Sequence, residues 1–230
     1  MGVTDLDRQA ARIALQEWWF FGSQYVDGDR TDLPVRQADD GHEVRGREDA
    51  GGFKQRVWTY FKHGVYPDSD RWKPVRGLAW SAAFVSFCMR NAGAGRRFPY
   101  SVGHHDYVTA AMRNRIAGSL DDRMVAYDRA EIAPRVGDLV WFGARNETVD
   151  ATNWTFADLK NHIQQNGPFV SSHCDLVVQV DLAGRAILVI GGNVIDTVLR
   201  MKIPIGADGK LVSRRYPVIL RNNIGEMAVA

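Results

Sequence analysis

The chain has little cysteine, no long apolar run, almost no excess of charge and no internal repeat, and each absence narrows what it can be. Two cysteines, Cys88 and Cys174, are too few to staple a chain of 230 residues. They also fall in no C-x-x-C or Cys/His spacing, so no zinc site and no cofactor is expected. No stretch approaches the roughly 18 consecutive apolar residues of a membrane helix, and no membrane span is expected. Residues 1–16 alternate Asp and Arg with apolar side chains, which is not the unbroken apolar core of a cleavable secretion signal. The 29 basic residues, mostly arginine, nearly balance 27 acidic ones. That balance leaves no electrostatic case for nucleic acid as the main partner.

What is present is the composition of a globular protein: 45% hydrophobic and 24% charged residues, which excludes disorder over most of the chain. From Thr4 to Phe21, Leu6, Ala10, Ile13, Ala14, Glu17, Trp18 and Phe21 recur at helical spacing, with Thr4 and Asp7 as a capping box and Gly22 as the stop. Ser23 to Gly52 is polar and rich in Gly and Asp, longer than compact domains leave unstructured, and reads as a flap or ornament that shapes or covers a cleft. A second helix is expected through Phe53, Val57, Tyr60 and Phe61 up to Gly64, with an irregular stretch past Pro67 and Pro74 to Leu78.

Residues 80–92 are apolar on nearly every face and close with Gly93, predicting a helix buried at the centre. Further helices are expected over about Asp106 to Ile116 and Thr155 to Gln165. Short β-rich runs at 138–142, 175–180, 186–190 and 216–220 predict strands. Helices first and strands afterwards argue for an α+β fold, an antiparallel sheet packed on the buried helix, and against a βαβ nucleotide-binding fold. We expect an N-terminal helical extension with a long polar loop over 1–70 and the main domain over 71–230.

The residue with most chemical promise is Ser81, a polar side chain in the first turn of the most buried helix, where unpaired N–H groups and the helix dipole favour a nucleophile. A plain helix cap is the competing role. His173 opens one predicted strand and Asn193 closes the next, so antiparallel pairing can set them side by side, with Asn193 orienting the imidazole. A half-buried structural histidine and a turn asparagine are the bland alternatives. Strand alternation turns Cys174 away from His173 and puts Asp175 on the same face, for contact with the histidine or with a substrate amine. Cys88 lies about 10 Å along the helix from Ser81 and reads as core. His104, His105, Asp106 and Tyr107 start the next helix and can line a cleft, or Asp106 simply caps that helix.

The blocks Trp80-Ser-Ala-Ala-Phe-Val-Ser86, Val136-Gly-Asp-Leu-Val-Trp-Phe142, His173-Cys-Asp-Leu-Val-Val178 and Gly191-Gly-Asn-Val-Ile-Asp-Thr-Val198 resemble, in order, those of the CHAP- and NlpC-type papain-like amidohydrolases and peptidases that cut peptidoglycan peptides. The resemblance covers roughly residues 75 to 200. It implies a papain-like domain with Ser81 as nucleophile, His173 as general base and Asn193 as its orienting partner. It also raises His104 and Tyr107 as substrate contacts, alongside the candidates Trp80 and Asp175. That family uses cysteine where this chain has Ser81. A helix N-terminus, at about 0.3–2 kcal/mol, shifts an acidity by only about one pH unit, which matters to a thiol and not to a hydroxyl. A serine there needs its proton removed by a base during attack. Three readings follow: a natural serine enzyme, a silent relative, or an engineered Cys→Ser replacement.

The function expected is hydrolysis of an amide bond in peptidoglycan peptides, in the periplasm or cell wall after delivery without a cleavable signal. An antibacterial effector with an immunity or delivery protein as partner, or a lysin, fits that expectation. A catalytically silent module that binds a cell-wall peptide or a partner protein is the alternative.

Overall fold

The computed structural model of the chain describes residues 2–30, 32–39, 45–69 and 79–226. The expected irregular stretch around Trp72 and Pro74, and the expected domain boundary at 70/71, lie outside these residues. In chain order the elements are α1 (Asp5–Phe20), β1 (Gln24–Val26), β2 (Arg36–Gln37), α2 (Gly51–Thr59) continued by a π-helical turn (Tyr60–Val65), α3 (Ser81–Asn91), α4 (His104–Ala117), β3 (Met124–Asp128), β4 (Leu139–Gly143), α5 (Phe156–Gln164), β5 (Ser172–Asp181), β6 (Ala186–Val194), β7 (Thr197–Pro204) and β8 (Val218–Asn222). The protein is α+β.

Helix α1 starts where its capping box requires: the Thr4 hydroxyl accepts from the Asp7 N–H at 3.3 Å and the Asp7 carboxylate accepts from the Thr4 N–H at 2.9 Å. Its apolar stripe, Leu6, Ala10, Ile13, Ala14 and Trp18, turns inward. Helix α3 is buried on all sides from Ser81 to Met89, so its sequence shows no amphipathic stripe. It packs against α1, the π-helical turn, β5 and β6. No helix among the described residues is long and apolar enough to cross a membrane.

The strands form one eight-stranded sheet in the order β2-β1-β7-β6-β5-β4-β8-β3. Every pairing is antiparallel except β1 with β7. Four strands escape the sequence reading. Strands β1 and β2 have three and two residues, too few for a pattern, β3 closes the far edge, and β7 carries charged Arg200 and Lys202 among its apolar residues. Part of the polar segment 23–52 thus becomes sheet edge. Further along it, the Glu48 N–H donates to the Asp196 carbonyl at 2.8 Å, and Arg47 pairs with the Asp196 carboxylate at 2.7 Å, holding the segment against the β6–β7 hairpin.

One end of the sheet is joined to α1 by a buried polar cluster. Asp138 is fully buried and accepts from the backbone N–H groups of Arg135 at 2.9 Å and Asn222 at 3.0 Å, while the Arg221 guanidinium lies 3.3 Å away. The Asn222 amide donates to Asp7 at 2.9 Å. Burial outweighs these donors and pushes the Asp138 carboxyl up to about 6. The folded chain then binds more protons than the unfolded one between about pH 4 and pH 6, so this group favours the fold at acid pH and that contribution is lost as pH rises to 6. Its size is about 3 kcal/mol at most. In urea denaturation, the stability deficit of Asp138→Asn relative to the wild type is expected to shrink as pH is raised from 4 to 6.5; a constant deficit would contradict it.

Candidate functional site

Trp80 occupies the N-cap position of α3 without a side-chain cap, and Ser81 is the first helical residue. Its hydroxyl does not cap the helix. It is hydrogen-bonded instead to Nε2 of His104, at 2.6 Å. Trp80, read as a substrate contact, is 1% exposed, stacked on Phe21 and packed on Tyr60, with its indole N–H donating to the Glu48 carboxylate. It anchors the start of α3 and offers a substrate no face. Through Glu48, the polar segment reaches the residue next to Ser81.

His104 is the first residue of α4, set on the N-cap Gly103, and it is 4% exposed. Its Nδ1 is hydrogen-bonded to the hydroxyl of Tyr107, one turn along the same helix face. Tyr107 is wholly buried, with the Cys174 side chain near its hydroxyl. Burial, reinforced by the neighbouring His173, holds the His104 imidazole well below its usual range, so it stays neutral near pH 7. A neutral imidazole has one N–H and one lone pair. One assignment satisfies both contacts: Ser81 donates to Nε2, and Nδ1–H donates to the Tyr107 oxygen. His104 and Tyr107 therefore stand behind the nucleophile, not on a substrate-facing wall. Asp106 is not a cap; it accepts from the Ser101 hydroxyl at 2.5 Å.

His173 enters from the sheet, near the start of β5. Its Nε2 lies 2.8 Å from Oδ1 of Asp175, and the other Asp175 oxygen accepts from the Tyr216 hydroxyl at 3.0 Å. Asp175 is fully buried with both oxygens engaged, which leaves it no room for a substrate amine. With Nε2–H donated to Asp175, Nδ1 of His173 carries the lone pair. The His173 ring lies 5.2 Å from that of His104 and 5.2 Å from that of Phe142, its partner across β4 and β5.

Asn193 is placed differently from its expected role. The β5–β6 ladder ends at Leu176 opposite Ile190, and Asn193 lies beyond it with φ of +59°. Its side chain makes no hydrogen bond to His173 among the described residues, and the orienting contact comes from Asp175. The two preceding glycines have a clear physical reason. A β-carbon at 191 would lie 1.9 Å from Asp175 Oδ1 and 2.8 Å from His173 Nε2; one at 192 would lie 2.6 Å from Phe84. The β6 backbone runs directly beneath the histidine–aspartate pair, and only glycine fits there.

The site thus joins Ser81 of α3 and His104 of α4 to His173 and Asp175 of β5. Alternation along β5 foreshadowed Asp175, and the i, i+3 spacing foreshadowed the His104–Tyr107 contact. Nothing local foreshadowed His104 on Ser81. Cys88 is buried, and burial raises its thiol well above the usual range; the same holds for Cys174. Neither offers a ready thiolate. No group of three or more His, Cys, Asp or Glu side chains able to hold a metal ion occurs among the described residues.

A family model described as "Uncharacterized protein conserved in bacteria (DUF2272)" matches residues 49–223, a span that contains every residue of this site. No curated protein and no solved structure matches the chain.

Proposed function

The chain belongs to this bacterial family, and within it we propose that the protein is a serine hydrolase of papain-like architecture that cleaves an amide bond in peptidoglycan peptides. The observation that carries the reading is the 2.6 Å contact between the Ser81 hydroxyl and His104 Nε2 at the start of a buried helix. It supplies the base in contact that a serine, unlike a cysteine, requires. A hydroxyl that served only as a cap would not be turned toward an imidazole.

On this reading Ser81 Oγ attacks the carbonyl carbon as its proton passes to His104 Nε2. The developing oxyanion lies near the first N–H groups of α3, which have no acceptor within the helix. Burial and the adjacent His173 destabilise the imidazolium on His104, which favours handing the proton to the leaving nitrogen as the C–N bond breaks. Water then attacks the acyl-serine, gives its proton to His104, and Ser81 recovers one as the acid departs. Asp175 fixes the orientation of the His173 ring beside that path. The peptidoglycan substrate, and action at the cell wall, rest on the resemblance of the four sequence blocks.

One observation favours the silent binding module: Ser81 is only 7% exposed, so a substrate must displace something to reach it. The test is incubation of the protein and its Ser81→Ala and Ser81→Cys variants with purified peptidoglycan, with released fragments read by mass spectrometry. Fragments from the wild type that are lost in Ser81→Ala are expected, and their masses name the bond. Fragments from none of the three, or equally from Ser81→Ala, would reject the serine hydrolase.

A further inference from the structure

Next to Phe142 the site has a cationic neighbour. The Arg215 guanidinium carbon lies 4.2 Å from the centre of the Phe142 ring and 5.9 Å from that of Tyr216. Phe142 flanks His173, and Tyr216 holds Asp175, so Arg215 rests on the two aromatic residues that frame the histidine–aspartate pair. Other arginines set against the core are compensated by carboxylates: Arg56 by Glu17, Arg135 and Arg221 by Asp138. Arg215 is not. Its Nε is covered and without a hydrogen-bond partner, and no carboxylate lies within ion-pair distance of it among the described residues. The nearby acids are engaged elsewhere, Asp32 by Arg30 and Asp29 by the Ser213 hydroxyl.

A guanidinium stacked on aromatic faces keeps its planar fork pre-organised, and the group that fork matches is a carboxylate, bound through two parallel hydrogen bonds. Arg215 and His173 both lie against the Phe142 ring. We propose that Arg215 binds a carboxylate of the substrate, so that the peptide cut at Ser81 carries a free carboxylate on the side of the cut that lies toward Phe142. This rests on the hydrolase reading for the cut itself but not for the binding. A peptidoglycan stem peptide offers two such groups, the chain terminus and an acidic residue within the peptide.

The experiment uses a synthetic stem peptide with both carboxylates free and two twins, one amidated at the terminus and one at the internal acid. Amidation at one position is expected to lower the kcat/KM of the wild type about tenfold through KM, equivalent to about 1.4 kcal/mol. Arg215→Gln, checked by thermal melting for an intact fold, should remove that preference, lowering turnover of the free acid and leaving the amidated twin unchanged. Arg215→Lys should restore part of it. A wild type indifferent to both amidations, or an Arg215→Gln variant slowed equally on all three peptides, would overturn the proposal. Calorimetric binding of the same peptides to Ser81→Ala separates the two readings. If nothing is cut but a free carboxylate still strengthens binding through Arg215, the hydrolase falls and the carboxylate site stands; equal binding of all three, or none, overturns the site.

Discussion

Replacing His104 by glutamine is expected to lower turnover of a peptidoglycan peptide by about 10²- to 10⁴-fold, the usual worth of a positioned general base. The glutamine amide can reach toward both the Ser81 hydroxyl and the Tyr107 hydroxyl, so the buried hydrogen bonds survive while the proton acceptor is lost. That makes the variant a test of chemistry more than of folding. His173→Gln should be slowed less, because no contact joins His173 to the Ser81 hydroxyl. A His104→Gln enzyme keeping more than a tenth of the wild-type rate would show that another group takes the proton. A stability readout accompanies it. His104 is neutral in the fold because burial depresses its pKa. As pH falls below the ordinary histidine value of about 6.5, the unfolded chain takes up a proton that the folded chain refuses, and the fold loses stability. The sign is opposite to that of Asp138. Urea denaturation at pH 7.5 and 5.5 should therefore show a smaller loss on acidification in His104→Gln than in the wild type.

The second large effect is expected at Asp175. It accepts from His173 and from Tyr216. Asparagine has the same shape but only one acceptor oxygen. If that oxygen keeps the Tyr216 hydroxyl, an amide N–H faces His173 Nε2 and forces the proton onto Nδ1, the nitrogen left with the lone pair in the native arrangement. Loss of that tautomer is expected to cost turnover about 10²-fold or more, since the orientation of His173 beside His104 is lost with it. Asp175→Ala removes both acceptors and strands a buried hydroxyl and a buried ring N–H, at about 1–3 kcal/mol each in stability. Steady-state kinetics on Asp175→Asn, with thermal melts of both variants, separates the two costs. Full activity in Asp175→Asn would mean that the orientation of His173 has no part in the reaction.

The α+β class, the capped first helix, the wholly apolar α3 and the strands that include β4, β5 and β6 are legible in the chain, because each rests on local pattern: a capping box, a run without a polar stripe, alternation bounded by glycine. Ser81 and His173 stand out for the same kind of reason, as polar residues at the first turn of a buried helix and at the mouth of an apolar strand. The strands that stay hidden, β1, β2, β3 and β7, are short, lie at an edge or carry charges within their run, and they exist through their partners rather than through their own residues.

The partnerships within the site belong to the tertiary structure. His104 reaches Ser81 only because α4 returns its first residue to the N-terminus of α3, across the loop between them, and no periodicity encodes that approach. Asn193 looked like the orienting residue because an unbroken register would bring it opposite His173; the ladder ends sooner, and the backbone turns left-handed at 193. Asp175 takes the contact because a strand's own two-residue repeat holds it on the same face whatever the neighbouring strand does. The sequence by itself determined which side chains carry chemistry and which segments bury them. Which of those side chains meet was decided by packing, since contacts across helices and strands depend on where whole elements stop and cross.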